Sequence, residues 1–85
     1  MKFIIIWPDS AQEQLAKLDR PIAKRIYEAV GRLEYNPARW VSRIVNSEYY
    51  KLRVGDYRVI LDIRANQLRV LVVRVGHRKK IYKNM

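Results

Sequence analysis

The spacing of apolar residues changes period once along the chain, and that change restricts the folds open to it. Up to Leu33 the apolar positions recur three or four apart: Ala11, Leu15 and Leu18 form one set, and Ile22, Ile26, Ala29 or Val30, and Leu33 form a second. This is the period of helices with one buried face. From Glu48 onward the period is two. Tyr50, Leu52 and Val54 alternate with Tyr49, Lys51 and Arg53, as in a strand with one face on a core. Helices grouped before strands, instead of alternating with them, predict an α+β domain.

Local signals place the boundaries. Phe3-Ile4-Ile5-Ile6 is a continuous apolar run that predicts a first strand covered across much or all of both faces. Pro8, with no N–H for a ladder, stops it. Ser10 with Glu13 fits a capping box, and Asp9 adds negative charge where a helix N-terminus favours it. Asp19 followed by Pro21 marks a second helix start, and Asn36-Pro37 marks its end. Residues 38–47 carry neither period, although Trp40 and Ile44 are suitable anchors. Turns at Val54-Gly55-Asp56 and Arg64-Ala65-Asn66-Gln67 divide the remainder into strands, the last running from Leu68 to Val75. Gly76 breaks the last strand, leaving His77 to Met85 as a short basic tail. The expectation is one domain over residues 1–85: an N-terminal strand, a two-helix hairpin, then a three-stranded antiparallel meander with the helices packed on one face.

Charge narrows the partners. Eighteen Lys and Arg stand against eight Asp and Glu, a formal net charge of +10. Such an excess favours nucleic acid, an acidic protein or an anionic membrane surface. Phe3–Trp7 is far short of the roughly 20 apolar residues needed to span a bilayer, so no membrane partner is expected. The chain has no cysteine, and hence no disulfide framework or thiolate metal site. The expected compartment is the cytoplasm. No Gly-rich phosphate loop, carboxylate pair or metal-ligand spacing occurs, so no cofactor is expected and nucleotide hydrolysis is disfavoured. Lys51, Arg53, Arg58, Arg64, Arg69, Arg74, Arg78, Lys79 and Lys80 are instead interleaved with apolar residues, beside Tyr49, Tyr50, Tyr57 and Tyr82. Fixed cations beside aromatic rings suit a polyanion with stackable bases, and RNA is the first such partner to consider.

Several of these residues form an ordered set. Tyr50-Lys51-Leu52-Arg53, Tyr57-Arg58-Val59-Ile60, Arg74-Val75-Gly76-His77-Arg78 and then Tyr82 resemble the RelE/ParE toxin superfamily, the RelE branch most closely. The resemblance covers essentially the whole chain. It implies a RelE-like fold and a toxin of a type II toxin–antitoxin system. In the RelE branch it further implies a ribosome-dependent endoribonuclease that cleaves messenger RNA in the A site and is neutralised by a cognate antitoxin. A ParE-like inhibitor of DNA gyrase, without catalysis, and an RNA-binding module without turnover are the alternatives. The net charge gives the antitoxin expectation a physical basis, because a strongly basic domain attracts an acidic chain that orders on binding.

Metal-independent RNA cleavage requires an acceptor for the 2′-hydroxyl proton, cations for the phosphorane and a donor to the leaving 5′-oxygen. Arg58 and Arg78 are the expected phosphate ligands, since a guanidinium presents paired donors. Lys51 and Arg53 alternate onto one face, where they can hold the backbone or, for Lys51, take a proton. His77 is the single histidine, and imidazole can accept or donate a proton near neutrality. Tyr82 can stack on a base, orient the hydroxyl or donate a proton. These make the catalytic set Lys51, Arg58, His77, Arg78 and Tyr82, with Arg53, Lys79 and Lys80 binding RNA. Structural roles compete with these: Arg64, Arg69 and Arg74 as solvent-face decoration, Tyr50 and Tyr57 as core, and Asp56 or Asp62 as ion-pair partners of the arginines.

Overall fold

The computed structural model describes residues 1–83, so Asn84 and Met85 of the expected basic tail lie outside the described residues. The chain runs β1 (Ile4–Ile6), α1 (Asp9–Ala16), α2 (Arg20–Gly31), β2 (Val41–Arg43), β3 (Tyr50–Val54), β4 (Tyr57–Arg64) and β5 (Arg69–His77), with short 3₁₀ turns between some of them. The sheet has five strands in the order β1-β5-β4-β3-β2. Strands β3 to β5 form the expected antiparallel meander, β2 adds antiparallel to β3, and β1 lies parallel to β5. The α+β class therefore stands, with one strand more than the sequence suggested. Val41–Arg43 was illegible because three residues are too few to establish a period of two.

Both helices cover the same face of the sheet. Ala11 of α1, Ile26, Ala29 and Val30 of α2, and Leu33 just beyond it close over Leu52, Val59, Leu61, Val70, Val72 and Val75. The parity of these strand positions assigns residues 52, 59, 61, 70, 72 and 75 to the helix face. Their alternating neighbours Lys51, Arg53, Arg58 and Ile60 belong to the other face.

Two local expectations fail for clear reasons. Strand β1 is an edge strand: Ile5 packs on the core with Phe3 and Trp7, whereas Ile4 is 66% exposed on the open side. A continuous apolar run was thus not evidence of two covered faces. The capping box does not form, because α1 starts directly after Pro8 and puts Ser10 inside its first turn. Asp19 and Pro21 do open α2 as expected.

A register shift in the β4–β5 ladder leaves Val73 without a cross-strand partner, a β-bulge. Close by, Gln14 of α1 accepts a 2.7 Å hydrogen bond from the Val75 backbone N–H, so a helix side chain satisfies a ladder donor. No helix among the described residues is long and apolar enough to cross a membrane.

Candidate nucleic-acid interface

The face of the sheet opposite the helices is left largely bare, and its residues follow from cross-strand register. Arg53 pairs with Arg58, and Arg58 with Gly76; one row along, Lys51 pairs with Ile60, and Ile60 with Arg74. Lys51, Arg53, Arg58 and Arg74 thus share one face. Like charges directly opposite one another cost a few tenths to about 1 kcal/mol. Arg53 and Arg58 accept that cost. No carboxylate among the described residues lies within ion-pair distance of Lys51, Arg53 or Arg58. Asp62, on the same face, is committed to Arg64 at 2.8 Å, a contact that raises the Arg64 pKa through the hydrogen bond and then the charge of Asp62.

Arg58 is fixed as well as unpaired. Its Nη1 donates to the carbonyl oxygens of Gly55 (2.9 Å) and Tyr57 (2.8 Å), which hold the guanidinium at the β3–β4 turn. Its Nε and Nη2 donors have no partner among the described residues. That turn needs Gly55, whose φ of +58° places it in the left-handed region. Arg78 reaches the same turn: its backbone N–H donates to Asp56 O at 2.8 Å and its Nε lies 3.4 Å from the Asp56 carboxylate. Both guanidinium groups therefore meet the same stretch of three consecutive residues, Gly55 to Tyr57. The Arg78–Asp56 pair is well exposed, and such pairs contribute about 0–1 kcal/mol, little enough for a phosphate to displace.

The C-terminal turn folds back over the open face. Ile81 is 2% exposed and its Cδ1 would lie 3.1 Å from a Cβ built on Gly76, so only glycine gives this approach without displacement. Ile60 is also fully buried yet outside the helix-side core, on the open face between Lys51 and Arg74. Arg74 locks the turn with Nη1 donating to Ile81 O (3.1 Å) and Lys83 O (3.0 Å). Arg74 is therefore a structural clamp, not the solvent decoration that strand alternation suggested. Arg74→Ala should cost about 1–2 kcal/mol. It should also accelerate amide hydrogen exchange at Ile81 and Tyr82 more than in the helices. Uniform exchange rates would contradict the clamp.

The turn brings Tyr82, 39% exposed, to a cleft of about 650 Å³ lined by Val73, Ile44 and Tyr49, with Ile60 buried beneath it. Lys79 and Lys80 are exposed on the same turn. His77 is placed elsewhere. Its ring meets Tyr57 edge-on at 5.4 Å, and Tyr57 packs on the helix-side core beside Ile22. Its Nδ1 accepts the Lys79 backbone N–H at 3.1 Å. Arg58 and Arg78 thus meet at the β3–β4 turn, Tyr82 lines a separate cleft whose lining includes neither arginine, and alternation turns the imidazole to the opposite side. Tyr50 and Tyr57 pack on the core, and Trp40 lines a groove beside α2, with Arg32 and Arg39 over its ring at 5.5 and 5.1 Å.

Two helices laid on a mixed five-stranded sheet, with cations fixed on the bare face, define a small basic domain of the RelE/ParE kind. The family described as the ParE toxin of type II toxin–antitoxin system, parDE, matches residues 5–82, and the chain belongs to that family. It is a toxin of a type II toxin–antitoxin system. Among solved structures it is similar to RelBE2 from Mycobacterium tuberculosis, a toxin–antitoxin complex, at TM-score 0.80 and 25% identity over 91% of this chain and 99% of that one. The archaeal RelE–RelB complex from Pyrococcus horikoshii OT3 matches at TM-score 0.79 and 22% identity, covering 94% and 99% of the two chains. The intact E. coli RelBE complex matches at 0.73 and 17%, covering 91% and 96%. No curated protein is significantly similar in sequence.

Proposed function

We propose that this toxin is an endoribonuclease that inhibits translation by cleaving messenger RNA in the ribosomal A site. The observation that carries the reading is the row of unpaired cations Lys51, Arg53 and Arg58 on the bare sheet face, with Arg58 clamped by two carbonyl oxygens. The RelE-type neighbours support the same branch. In the proposed reaction the 2′-oxygen attacks the adjacent phosphorus, the bond to the 5′-oxygen breaks, and a cyclic phosphate and a free 5′-hydroxyl result. Arg58, Arg53 and Arg78 stabilise the non-bridging oxygens as negative charge accumulates. Arginine does not accept protons near neutrality. Proton transfer therefore falls to Lys51 and Tyr82, which share the open face, and Tyr82 also offers a ring for a base. Lys79 and Lys80 attract the RNA backbone without defined contacts.

Much of the rate derives from positioning, so the ribosome presents the message in attack geometry and free RNA is a poor substrate. The site of action is the cytoplasm, where ribosomes translate. The partner is a cognate acidic antitoxin, consistent with the net charge of +10 and with neighbours solved as toxin–antitoxin complexes. His77 has no place in this chemistry. His77→Gln is expected to leave the pH profile of cleavage unchanged while the edge-on contact with Tyr57, about 0.5–1.5 kcal/mol, is lost from stability. A profile that flattens near neutrality would return the imidazole to the site.

The family description favours one second reading, inhibition of DNA gyrase without catalysis. Programmed ribosomes incubated with the toxin, followed by primer extension on the message and a parallel supercoiling assay, separate the two. Breaks within the A-site codon with normal supercoiling support the nuclease. Intact message with blocked supercoiling refutes it.

A further inference from the structure

We infer that the cleft between the β2–β3 loop and the C-terminal turn is a nucleobase pocket, in which Asn46 reads the edge of an adenine. The inference rests on RNA being the substrate of the open face and goes on to name which base that face selects. At about 650 Å³ the cleft falls within the roughly 300–1,000 Å³ typical of small-ligand sites. Its accessible apolar lining is Ile44, Val45 and Val73, and Tyr49 and Tyr82 present rings at its walls. An unstacked base finds such surfaces favourable, because every base has a π-face.

Its position suits a nucleotide whose phosphate lies on the cations. Ile60 stands between Lys51 and Arg74 in register, and the Arg53–Arg58 row lies two residues along the strands. Two residues span about 6.7 Å, a step that places a phosphate on one row and its base on the next. Charge complementarity thus identifies the occupant as one base of a single-stranded RNA.

The polar groups at the rim then decide which base. Ser47 Oγ already accepts the Tyr49 backbone N–H at 3.0 Å, and Arg74 Nη1 is committed to Ile81 O and Lys83 O. The Asn46 side-chain amide has no hydrogen-bond partner among the described residues and lines the cleft. Its paired donor and acceptor match the N7 and N6 of adenine, whereas a carboxylate at that position would suit the N4 of cytosine. Asn46 has φ +60°, so Asn46→Gly removes the amide without backbone strain.

The test titrates isotope-labelled wild-type protein, Asn46→Gly and Asn46→Asp with trinucleotides lacking 2′-hydroxyls and carrying A, C, G or U at the centre. The expected result is that Ile44, Tyr49 and Val73 resonances move, with the adenine trinucleotide binding about tenfold tighter than the others in wild type and that margin lost in Asn46→Gly. Asn46→Asp should favour cytosine. If none of the three resonances responds to any trinucleotide, the pocket is overturned. Displacement only by an acidic, apolar peptide would make it a protein-binding cleft and overturn it equally. Adenine preference that survives in Asn46→Gly overturns the role of Asn46. These trinucleotides cannot be cleaved by 2′-hydroxyl attack, so binding is read independently of whether the protein cuts message on the ribosome.

Discussion

Arg58→Ala is expected to lower cleavage of ribosome-bound message by about 10²–10³-fold, the usual cost of removing one fixed donor from developing negative charge. The effect on folding should be small, because two terms oppose each other. The guanidinium gives up hydrogen bonds to Gly55 O and Tyr57 O, about 0.5–1.5 kcal/mol each at most, and the exposed turn carbonyl can turn to water. Removing one of two facing arginines relieves repulsion of a few tenths to about 1 kcal/mol. The net cost is about 0–2 kcal/mol, so thermal unfolding should show a variant still folded at the assay temperature, which separates lost chemistry from lost structure. Arg58→Lys should recover part of the rate, since charge returns without the planar fork. Single-turnover cleavage at saturating ribosomes measures both. A near-parental rate for Arg58→Ala would remove this residue from the site.

The largest expected effect on stability lies on the other side of the sheet. Ile26 is fully buried where α2 meets the sheet, and Ile26→Ala should cost about 2–5 kcal/mol. For a domain of this size each 1 kcal/mol moves Tm by about 4–8 °C, so the melting temperature should fall by at least about 8 °C. Ile4→Ala, at a position 66% exposed on the edge strand, should change stability by less than about 0.5 kcal/mol. The pair tests whether the core lies on one face only. Comparable losses from both substitutions would mean that β1 is covered on both sides in solution.

That contrast also shows what the chain makes legible. Ile22, Ile26, Val30 and Leu33 repeat with helical period over a dozen residues, and Leu52 and Val54 alternate cleanly with Lys51 and Arg53, so both helices, the meander and the alternating basic strand could be read directly. Phe3 to Ile6 could not be assigned a covered side, because a run of apolar residues shows hydrophobicity without direction. The parallel pairing of β1 with β5 is set by a contact about 65 residues apart, Ile4 with Arg69, which no local pattern carries.

The candidate site was legible as a set of residue types and less so as a geometry. Lys51 and Arg53 fell on one face by alternation alone, whereas Arg58 joins them through the β3–β4 register that sets it opposite Arg53. His77 misled because it adjoins Arg78 in sequence, whereas its pairing with Tyr57 turns it toward the helices. Arg74 and the cleft were missed, although two signals were present. Ile60 puts an apolar residue where alternation with Arg58 and Asp62 calls for a polar one, and Gly76 marks a close approach to its backbone. The glycine points to the turn that carries Ile81, and Ile60 to cover on the open face.

The most direct test compares two charge-matched triple variants on programmed ribosomes. Lys51→Ala/Arg53→Ala/Arg58→Ala strips the open face, and Lys17→Ala/Arg20→Ala/Lys24→Ala strips exposed cations from the helix side; each lowers the net charge from +10 to +7, since 10 − 3 = 7. The open-face triple should lose message cleavage by about 10³-fold or more, with the helix-side triple remaining within a few-fold of the parent. Equal losses in the two, or full cleavage by the open-face triple, would contradict a catalytic surface on the bare side of the sheet.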